Sequence, residues 1–249
     1  MKILSYNTRG LGSRTKWRFI RELILKEKVD MVSFQETKLD IIDKPLCNFI
    51  WGDSSFEWAF TPAVNRGRDL LCIWQQGAFV LENCHRGSSF ISLRGVWGEN
   101  SLSCVITNIY SPCSLKEKRI QWSEVVALRS TSPLLAWCVV GDFNSVRPLA
   151  ERRGVSTSSY ASRRDIKEFN LFIDAMQLCD IPLAGRRFIW VRPNGRAMSR
   201  LDRALVSVDW LEDWPNCFQQ VMSRDISDHC PVVIKRSDVN WGPKPFRFL

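Results

Sequence analysis

The chain has 249 residues, is 45% hydrophobic and contains 11 Trp and 14 Phe, which excludes a disordered polypeptide and allows a large core. Its 35 Lys and Arg outnumber its 26 Asp and Glu, giving a net charge of +9. This balance fits a protein that binds a polyanion, and a merely basic soluble surface would give the same count. The longest apolar run, 134–140, is too short to span a bilayer, so we expect no membrane role.

The nine cysteines are odd in number and form no C-x-x-C pair. They lie mostly inside apolar runs, as Cys72, Cys104 and Cys138 do. This placement predicts reduced, buried thiols in an intracellular protein rather than a disulfide framework or a zinc site. The first five residues enter a predicted strand at once and lack the layout of a signal peptide.

Nine apolar runs are predicted to form β-strands. Several are continuous rather than alternating, which is typical of strands covered on both faces. In chain order the runs are 2–6, 31–34, 70–74, 79–82, 102–110, 137–140, 188–191, 204–207 and 232–234.

Three segments with helical spacing of apolar residues lie between these strands, and the first is 15–28. Ser114 with Glu117 is a capping-box signature for a second helix, and Ser162 with Asp165 marks the start of a third. Because hairpin-like and helix-separated strands are mixed, the sequence predicts two packed sheets with helices outside. Exposed loops are predicted at 52–55, 65–69 and 192–196.

Short polar blocks follow several of the predicted strands. Glu36 comes just after the run 31–34 and is a candidate Mg²⁺ ligand, because Mg²⁺ prefers oxygen ligands. An acidic residue at a strand end is also explained as a solvated side chain. Lys38 could bind phosphate or simply keep the loop soluble.

Asp142 and Asn144 close the most apolar strand, directly after Gly141. In an extended chain the i, i+2 spacing places both side chains on one side. A carboxylate beside an amide can take a proton from water and orient the resulting nucleophile. The alternative is an Asx turn that leaves the strand.

Asp228 and His229 directly precede the last predicted strand. The chain has one other histidine, His85, which we interpret as structural. Asp202, on a separate strand, could orient His229, as carboxylates commonly do. His229 would then stabilise charge on a phosphate, donate a proton or accept one, and the residues alone leave these roles open.

Asn7 and Tyr110 each end a predicted strand, where a turn-forming Asn or a core-edge Tyr would also be ordinary. The segment 147–203 contains 12 basic and 6 acidic residues, a balance of 12 − 6 = +6. Trp190 and Phe188 are interleaved with these charges, a composition that favours binding of a phosphodiester backbone.

In this order, the blocks resemble the endonuclease/exonuclease/phosphatase superfamily, which has the DNase I-like fold, and the resemblance covers nearly the whole chain. The chain is most similar to the endonuclease domain of plant LINE-type (non-LTR) retrotransposon proteins. The segments that carry this likeness are SYNTRGLG at 5–12, LLCIW at 70–74, FIW at 188–190, SRLDR at 199–203 and WGPKPFRF at 241–248.

The resemblance implies an α/β fold of the α+β kind, a four-layer sandwich of two mainly antiparallel sheets flanked by helices. It implies Mg²⁺-dependent attack of water on a phosphodiester that leaves a 3′-hydroxyl, with Mn²⁺ as an alternative ion. Glu36 becomes the main metal ligand, and Asn7 and Asp228 help to hold the metal region.

The same resemblance assigns the reacting groups. Asp142 activates the water, and Asn144 positions the water or the phosphate. Tyr110 contacts the phosphate, while the Asp202–His229 pair stabilises the pentacovalent state.

We expect four side chains to contact DNA, namely Arg9, Lys38, Arg200 and Trp190. Abasic-site repair relatives carry an acid at the position of Arg9, which disfavours a second metal and a repair function. A second departure is the pair Arg68 and Asp69, where the LINE-type relatives usually have two glycines.

We predict an endonuclease domain at 1–236 and a tail at 237–249 that, in such proteins, leads toward a reverse transcriptase. The predicted protein is a monomer that binds DNA in the nucleus, within or apart from a longer polyprotein. The alternatives are a phosphatase or an RNA nuclease of the same fold, and an inactive nucleic-acid-binding relic of a transposon.

Overall fold

The apolar runs form the strands of two large sheets in the computed structural model, which describes residues 1–39, 41–62, 69–154 and 160–237. The predicted tail beyond residue 237 and Arg68 lie outside the described residues. The strands are β1 Lys2–Asn7, β2 Met31–Gln35, β3 Phe56–Thr61, β4 Leu70–Gln75, β5 Phe79–Arg86, β6 Phe90–Trp97, β7 Leu102–Tyr110, β8 Ala136–Asp142, β9 Arg152–Arg153, β10 Leu178–Asp180, β11 Leu183–Ala184, β12 Trp190–Val191, β13 Met198–Ser199, β14 Asp202–Ser207, β15 Cys217–Val221 and β16 Val232–Arg236.

Five α-helices join these strands: α1 Arg14–Glu27, α2 Lys44–Trp51, α3 Leu115–Ser130, α4 Tyr160–Ala175 and α5 Val208–Asp213. Ser13 begins α1 and Asp43 begins α2, and each side chain accepts a backbone N–H of the first turn. No described helix is long and apolar enough to cross a membrane.

The first sheet has the strand order β11-β15-β16-β1-β2-β4-β3, and the second has the order β10-β14-β8-β7-β6-β5. Most neighbours are antiparallel, but each sheet contains a central parallel pair, β1 with β2 and β7 with β8. A small third sheet, β12-β13-β9, is attached through a bridge between Trp190 and His229. The predicted fold class is confirmed.

Alternate residues of the strands face opposite layers. Ile3 and Met31 point toward the second sheet and join one core cluster with Ile106 and Val140. On the other face of the first sheet, Leu4, Val32 and Phe34 pack on helices α1 and α2. The continuous apolar strands are thereby explained, because both of their faces are covered.

The second sheet is covered in the same way on its outer face. Trp122 of α3 stacks on Phe172 of α4, with ring centroids 5.4 Å apart, and both pack on Trp137 and Val139 of β8. Each fully buried side chain of this kind stabilises the fold by about 1.5–3 kcal/mol. The result is a four-layer sandwich.

Several predicted elements needed correction. Ser114 begins α3, but its side chain makes no capping hydrogen bond, and Ser162 lies inside α4 rather than at its start. The predicted strand 188–191 shrinks to β12. Helices α2 and α5 and strands β3, β6 and β15 were missed, because they are short or carry charged residues that interrupt the apolar pattern.

The prediction of an exposed loop at 65–69 is wrong for Asp69, which is completely buried. The other residues of that loop lie outside the described part of the chain. All nine cysteines are free, and six of them are buried. Burial raises the pKa of the buried thiols, as at Cys138, so these thiols are unreactive.

Candidate active site

The two central parallel strand pairs, β1 with β2 and β7 with β8, end at the same side of the molecule and bring polar side chains together. Asn7 is paired with Gln35 at the carboxyl end of β1 and β2, and Tyr110 is paired with Asp142 at the end of β7 and β8. Parallel strands end at a common edge, so Glu36, the residue after Gln35, reaches the same edge.

Asn7 connects the two sheets directly. Its amide nitrogen donates to Glu36 Oε1 at 3.1 Å and to Asp142 Oδ2 at 3.0 Å. Its amide oxygen accepts the backbone N–H of Arg9 at 3.1 Å. One buried amide therefore fixes the spacing of the two carboxylates, although they are 106 residues apart in the chain (142 − 36 = 106).

Glu36 lies in a turn with unusual backbone geometry, residues 35–38, which we call the Glu36 turn. Glu36 and Lys38 both have left-handed backbone, with φ of 51° and 54°, which costs about 1–3 kcal/mol for each non-glycine residue. The Glu36 side chain is almost completely buried. Its Oε2 faces Arg9 Nη1 at 3.7 Å and Lys38 Nζ at 3.5 Å, so the carboxylate is held among cationic groups.

Asp142 and Asn144 both reach the site, but by an Asx turn rather than by extended chain. The Asn144 N–H donates to Asp142 Oδ1 at 2.9 Å, and Asn144 has left-handed backbone with φ of 48°. The i, i+2 prediction is wrong because the strand ends at Asp142. We call residues 142–145 the Asp142 turn.

Gly141 allows the Asp142 turn to form at the sheet edge. Its φ is 139°, and a Cβ atom there would lie 2.0 Å from the carbonyl oxygen of Ile109 on the neighbouring strand. Any larger residue would push β8 away from β7.

Asp142 is buried, and this burial changes its acidity. Desolvation, and next the nearby Asp202 carboxylate, raise the pKa of Asp142 above its ordinary value. His229, whose Nε2 lies 3.8 Å from Asp142 Oδ2, opposes the rise. Asp142 is therefore a stronger base than a solvated aspartate.

Asp202 and His229 form the predicted pair. His229 Nδ1 lies 2.7 Å from Asp202 Oδ2, and both side chains are buried. Burial alone would lower the pKa of His229, but Asp202 and Asp142 outweigh it and raise the pKa to about 9. His229 is then an imidazolium at neutral pH, which favours charge stabilisation among the roles left open by the sequence.

Asp228 is bound by two predicted DNA-contacting residues. Arg9 donates to it through Nε and Nη2, both at 2.9 Å, and the indole of Trp190 donates at 2.9 Å. Burial alone would raise the pKa of Asp228, but the hydrogen bonds from Arg9 and Trp190 lower it. Arg9 therefore links Asp228 to Glu36, since its guanidinium contacts both carboxylates.

A cleft of about 410 Å³ opens over this arrangement. Seven predicted residues line it: Arg9, Glu36, Tyr110, Asp142, Asn144, Trp190 and His229. Burial, and then the carboxylates of Glu36 and Asp142, raise the pKa of Tyr110, so its phenol stays protonated and can donate. Asn7 and Asp202 lie behind the lining and hold it through hydrogen bonds.

Two predicted DNA contacts do not line the cleft. Lys38 is half exposed at the rim beside Glu36. Arg200 is largely buried and bound internally, with Nη2 2.7 Å from Asp180 and Nη1 3.2 Å from Glu151. Both ion pairs of Arg200 are therefore internal to the protein.

Sequence reasoning missed four residues that line the cleft: Cys113, Arg152, Ser199 and Leu201. It also missed Lys118, which is buried beneath the Asp142 turn and donates to the Asn144 carbonyl at 2.8 Å and to the Ser145 hydroxyl at 2.7 Å. A lysine within a helical apolar stripe, as in α3, was the available signal.

The donor set fits a hard divalent cation. Glu36 and Asp142 present carboxylate oxygens within one buried network that the Asn7 amide nitrogen joins, and Mg²⁺ and Mn²⁺ prefer oxygen ligands. Asp142, Asp202 and His229 also have atoms within 4.8 Å of one another. The short hydrogen bond between Asp202 and His229 makes that second group a charge network rather than a metal cage.

The sequence matches the family model of the endonuclease/exonuclease/phosphatase family over residues 4–229. The chain belongs to this family. No curated protein is significantly similar to it in sequence.

Three solved structures share the fold. An AP endonuclease of Leishmania major is 18% identical with a TM-score of 0.68, over 95% of this chain and 87% of that one. An AP endonuclease of Archaeoglobus fulgidus is 15% identical with a TM-score of 0.69, over 96% and 100%. A family protein of Bacteroides thetaiotaomicron is 14% identical with a TM-score of 0.63, over 94% and 96%. At these identities the likeness shows the fold alone.

Proposed function

We propose that this protein is a Mg²⁺-dependent DNA endonuclease that nicks target DNA for LINE-type retrotransposition. The observation that carries the proposal is the meeting of Glu36, Asp142 and His229 around one cleft, although they come from three distant parts of the chain. The chain's membership of the endonuclease/exonuclease/phosphatase family supports hydrolysis of a phosphodiester or a phosphomonoester as the reaction class.

Glu36 and Asn7 would hold the metal ion. Asp228 lies next to this pair and is connected to Glu36 by the Arg9 guanidinium. A bound Mg²⁺ or Mn²⁺ would supply Lewis-acid stabilisation of the phosphate oxygens. The half-exposed side chain of Lys38 can turn from Glu36 toward a DNA phosphate, whereas Arg9 is held by Asp228 through Nε and Nη2 with its Nη1 beside Glu36.

Asp142 takes the proton of the attacking water. Its raised pKa suits this role, and the N–H groups of Asn7 and Asn144 fix the orientation of its two oxygens. The water oxygen bonds to phosphorus while the bond from phosphorus to the 3′ oxygen breaks. The departing 3′ oxygen takes a proton from solvent water and Asp142 returns its proton to solvent, so the products are a 3′-hydroxyl and a 5′-phosphate.

His229 and Tyr110 stabilise the charge that develops on the phosphate. The Asp202 carboxylate holds His229 as an imidazolium, and the protonated Tyr110 phenol can donate a hydrogen bond. Preorganised donors of this kind are usually the largest source of rate enhancement.

DNA as the substrate is supported by charge and shape. The net charge is +9, and Arg9, Arg152 and the indole of Trp190 border the cleft. The segments 5–12 and 199–203 support the LINE-type role, which places the reaction in the nucleus and beside a reverse transcriptase.

The test is an assay with purified protein and supercoiled plasmid in Mg²⁺, with the Asp142→Ala variant and EDTA as controls. We expect nicked circles from the wild-type protein only, in the presence of metal. Parallel substrates are a plasmid with abasic sites, single-stranded RNA and small phosphomonoesters.

Each alternative has its own outcome. Phosphate release from small esters without strand cleavage would make the protein a phosphatase, and RNA cleavage alone would make it an RNA nuclease. A strong preference for abasic DNA would indicate repair. Salt-dependent DNA binding with no turnover above the Asp142→Ala control would indicate an inactive relic.

A further inference from the structure

We propose that Asp69 is a positioning residue that sets the conformation of the Glu36 turn and thereby the affinity for the divalent cation. This inference rests on the proposed function, because it assumes that Glu36 holds a metal ion. It adds a residue that neither touches substrate nor lines the cleft.

The Glu36 turn needs support, because two of its four residues have left-handed backbone. One flank is held by backbone hydrogen bonds from the segment after β1. The N–H groups of Thr8, Gly10 and Leu11 donate to the carbonyls of 35, 36 and 37 at 3.0, 2.6 and 2.6 Å. These bonds fix the carbonyl side of the turn and leave its other flank to be held separately.

Asp69 holds that other flank. Its Oδ2 accepts hydrogen bonds from the Thr37 hydroxyl and from the backbone N–H of Lys38, the two groups that follow Glu36. The N–H of Lys38 belongs to one of the left-handed residues, so the carboxylate stabilises the strained conformation directly. Asp69 is completely buried, so solvent water does not compete for these hydrogen bonds.

The sheet fixes Asp69 at this place. Leu70, the next residue, begins β4 and lies opposite Gln35 at the end of β2. The Leu70 N–H donates to the Thr61 hydroxyl at 3.1 Å, which holds this end of the strand. Antiparallel register therefore places Asp69 beside the turn.

The test is the affinity for Mn²⁺, measured without DNA by the EPR signal of the free ion. For Asp69→Ala we expect a Kd raised about 10- to 100-fold, as is usual when the support of a metal ligand is removed. Asp69→Asn keeps an acceptor oxygen and should stay within about threefold of wild type, while Thr37→Val loses one donor and should bind about fivefold more weakly. Saturating Mn²⁺ should restore the nicking rate of Asp69→Ala.

The matched control is Asp43→Ala, because Asp43 also accepts a backbone N–H, that of Leu46 at 2.9 Å, but caps α2 outside the site. It should lower the melting temperature without changing the Kd. An unchanged Kd in folded Asp69→Ala, or equal weakening in Asp43→Ala, overturns the inference alone. If Asp69→Ala fails to fold, an unchanged Kd in Thr37→Val overturns it instead. If the wild-type protein binds no Mn²⁺, that result contradicts the proposed metal-dependent function, and this inference is overturned with it.

Discussion

The Glu36 turn and the Asp142 turn both need support for left-handed backbone, and in each a buried charged side chain supplies it, of opposite sign in the two turns. Each follows the second strand of a parallel pair, and left-handed backbone occurs at two residues of the Glu36 turn and at Asn144 of the Asp142 turn. The Glu36 turn is supported by a buried carboxylate, Asp69, that accepts its donors. The Asp142 turn is supported by a buried ammonium, Lys118, that donates to its acceptors.

The surroundings of the two acidic side chains differ accordingly. Glu36 faces the cations Arg9 and Lys38, whereas Asp142 faces another carboxylate, Asp202, and has a raised pKa. The Glu36 carboxylate already pairs with cations, so a metal ion would take the place of Arg9 or Lys38 there, whereas the like charge near Asp142 favours uptake of a proton. The comparison teaches that changes near Glu36 should be repaired by added metal and changes near Asp142 should not.

The largest effect is expected from Asp142→Asn, which keeps the shape of the side chain and removes the base. We expect the nicking rate to fall about 10³-fold, because a positioned general base contributes about 10²–10⁴. Raising Mn²⁺ a hundredfold above that needed by wild type should recover nothing. Recovery by metal would show that Asp142 acts as a ligand and not as the base.

Lys118→Met tests the support of the Asp142 turn. Lys118 is buried with Nζ 2.6 Å from Asp165, and removing one partner leaves the other charge uncompensated. We expect the free energy of unfolding in urea to fall by about 3 kcal/mol. The double variant Lys118→Met with Asp165→Leu should regain most of this loss, and a single variant that loses less than about 1 kcal/mol would contradict the buried ion pair.

Glu36→Gln tests the metal side of the comparison. The carboxamide keeps the hydrogen bond from Asn7 and removes the charge that balances a cation. We expect the Kd for Mn²⁺ to rise about 100-fold, which is ~2.7 kcal/mol, and nicking at low metal to fall in proportion. In contrast to Asp142→Asn, excess Mn²⁺ should restore activity, and a nicking defect that persists at saturating metal would remove the distinction between the two turns.

Asn108→Leu tests the link between the two sheets below both turns. The Asn108 amide accepts from Gln35 Nε2 at 2.7 Å and donates to the Phe34 carbonyl at 3.0 Å, and all of these groups are buried. We expect a loss of about 2 kcal/mol in urea unfolding, because two buried partners lose their hydrogen bonds. The Kd for Mn²⁺ should change less than in Glu36→Gln, and a larger change would show that the two turns depend on this link.

Much of the fold could be predicted from the apolar runs. Strands such as β1, β2, β7 and β8 lie in the core of large sheets, where continuous apolar sequence is required. Strand β6 was missed because Arg94 and Gly95 interrupt its pattern, and Gly95 is needed where Val80 of β5 approaches closely. The helix starts were less well predicted, since the Ser114 side chain makes no capping hydrogen bond and Ser162 lies inside α4.

The sequence by itself determined the sandwich of apolar strands and the polar residues that end them, because strand burial and strand ends leave a local pattern. Only the tertiary structure decided what those residues do to one another. It turned Arg9 toward Asp228, buried Arg200 in internal ion pairs, and placed Asp69 and Lys118 beneath the two acidic turns. These contacts join segments that are far apart in the chain, so sheet register and packing decide them and no local pattern records them.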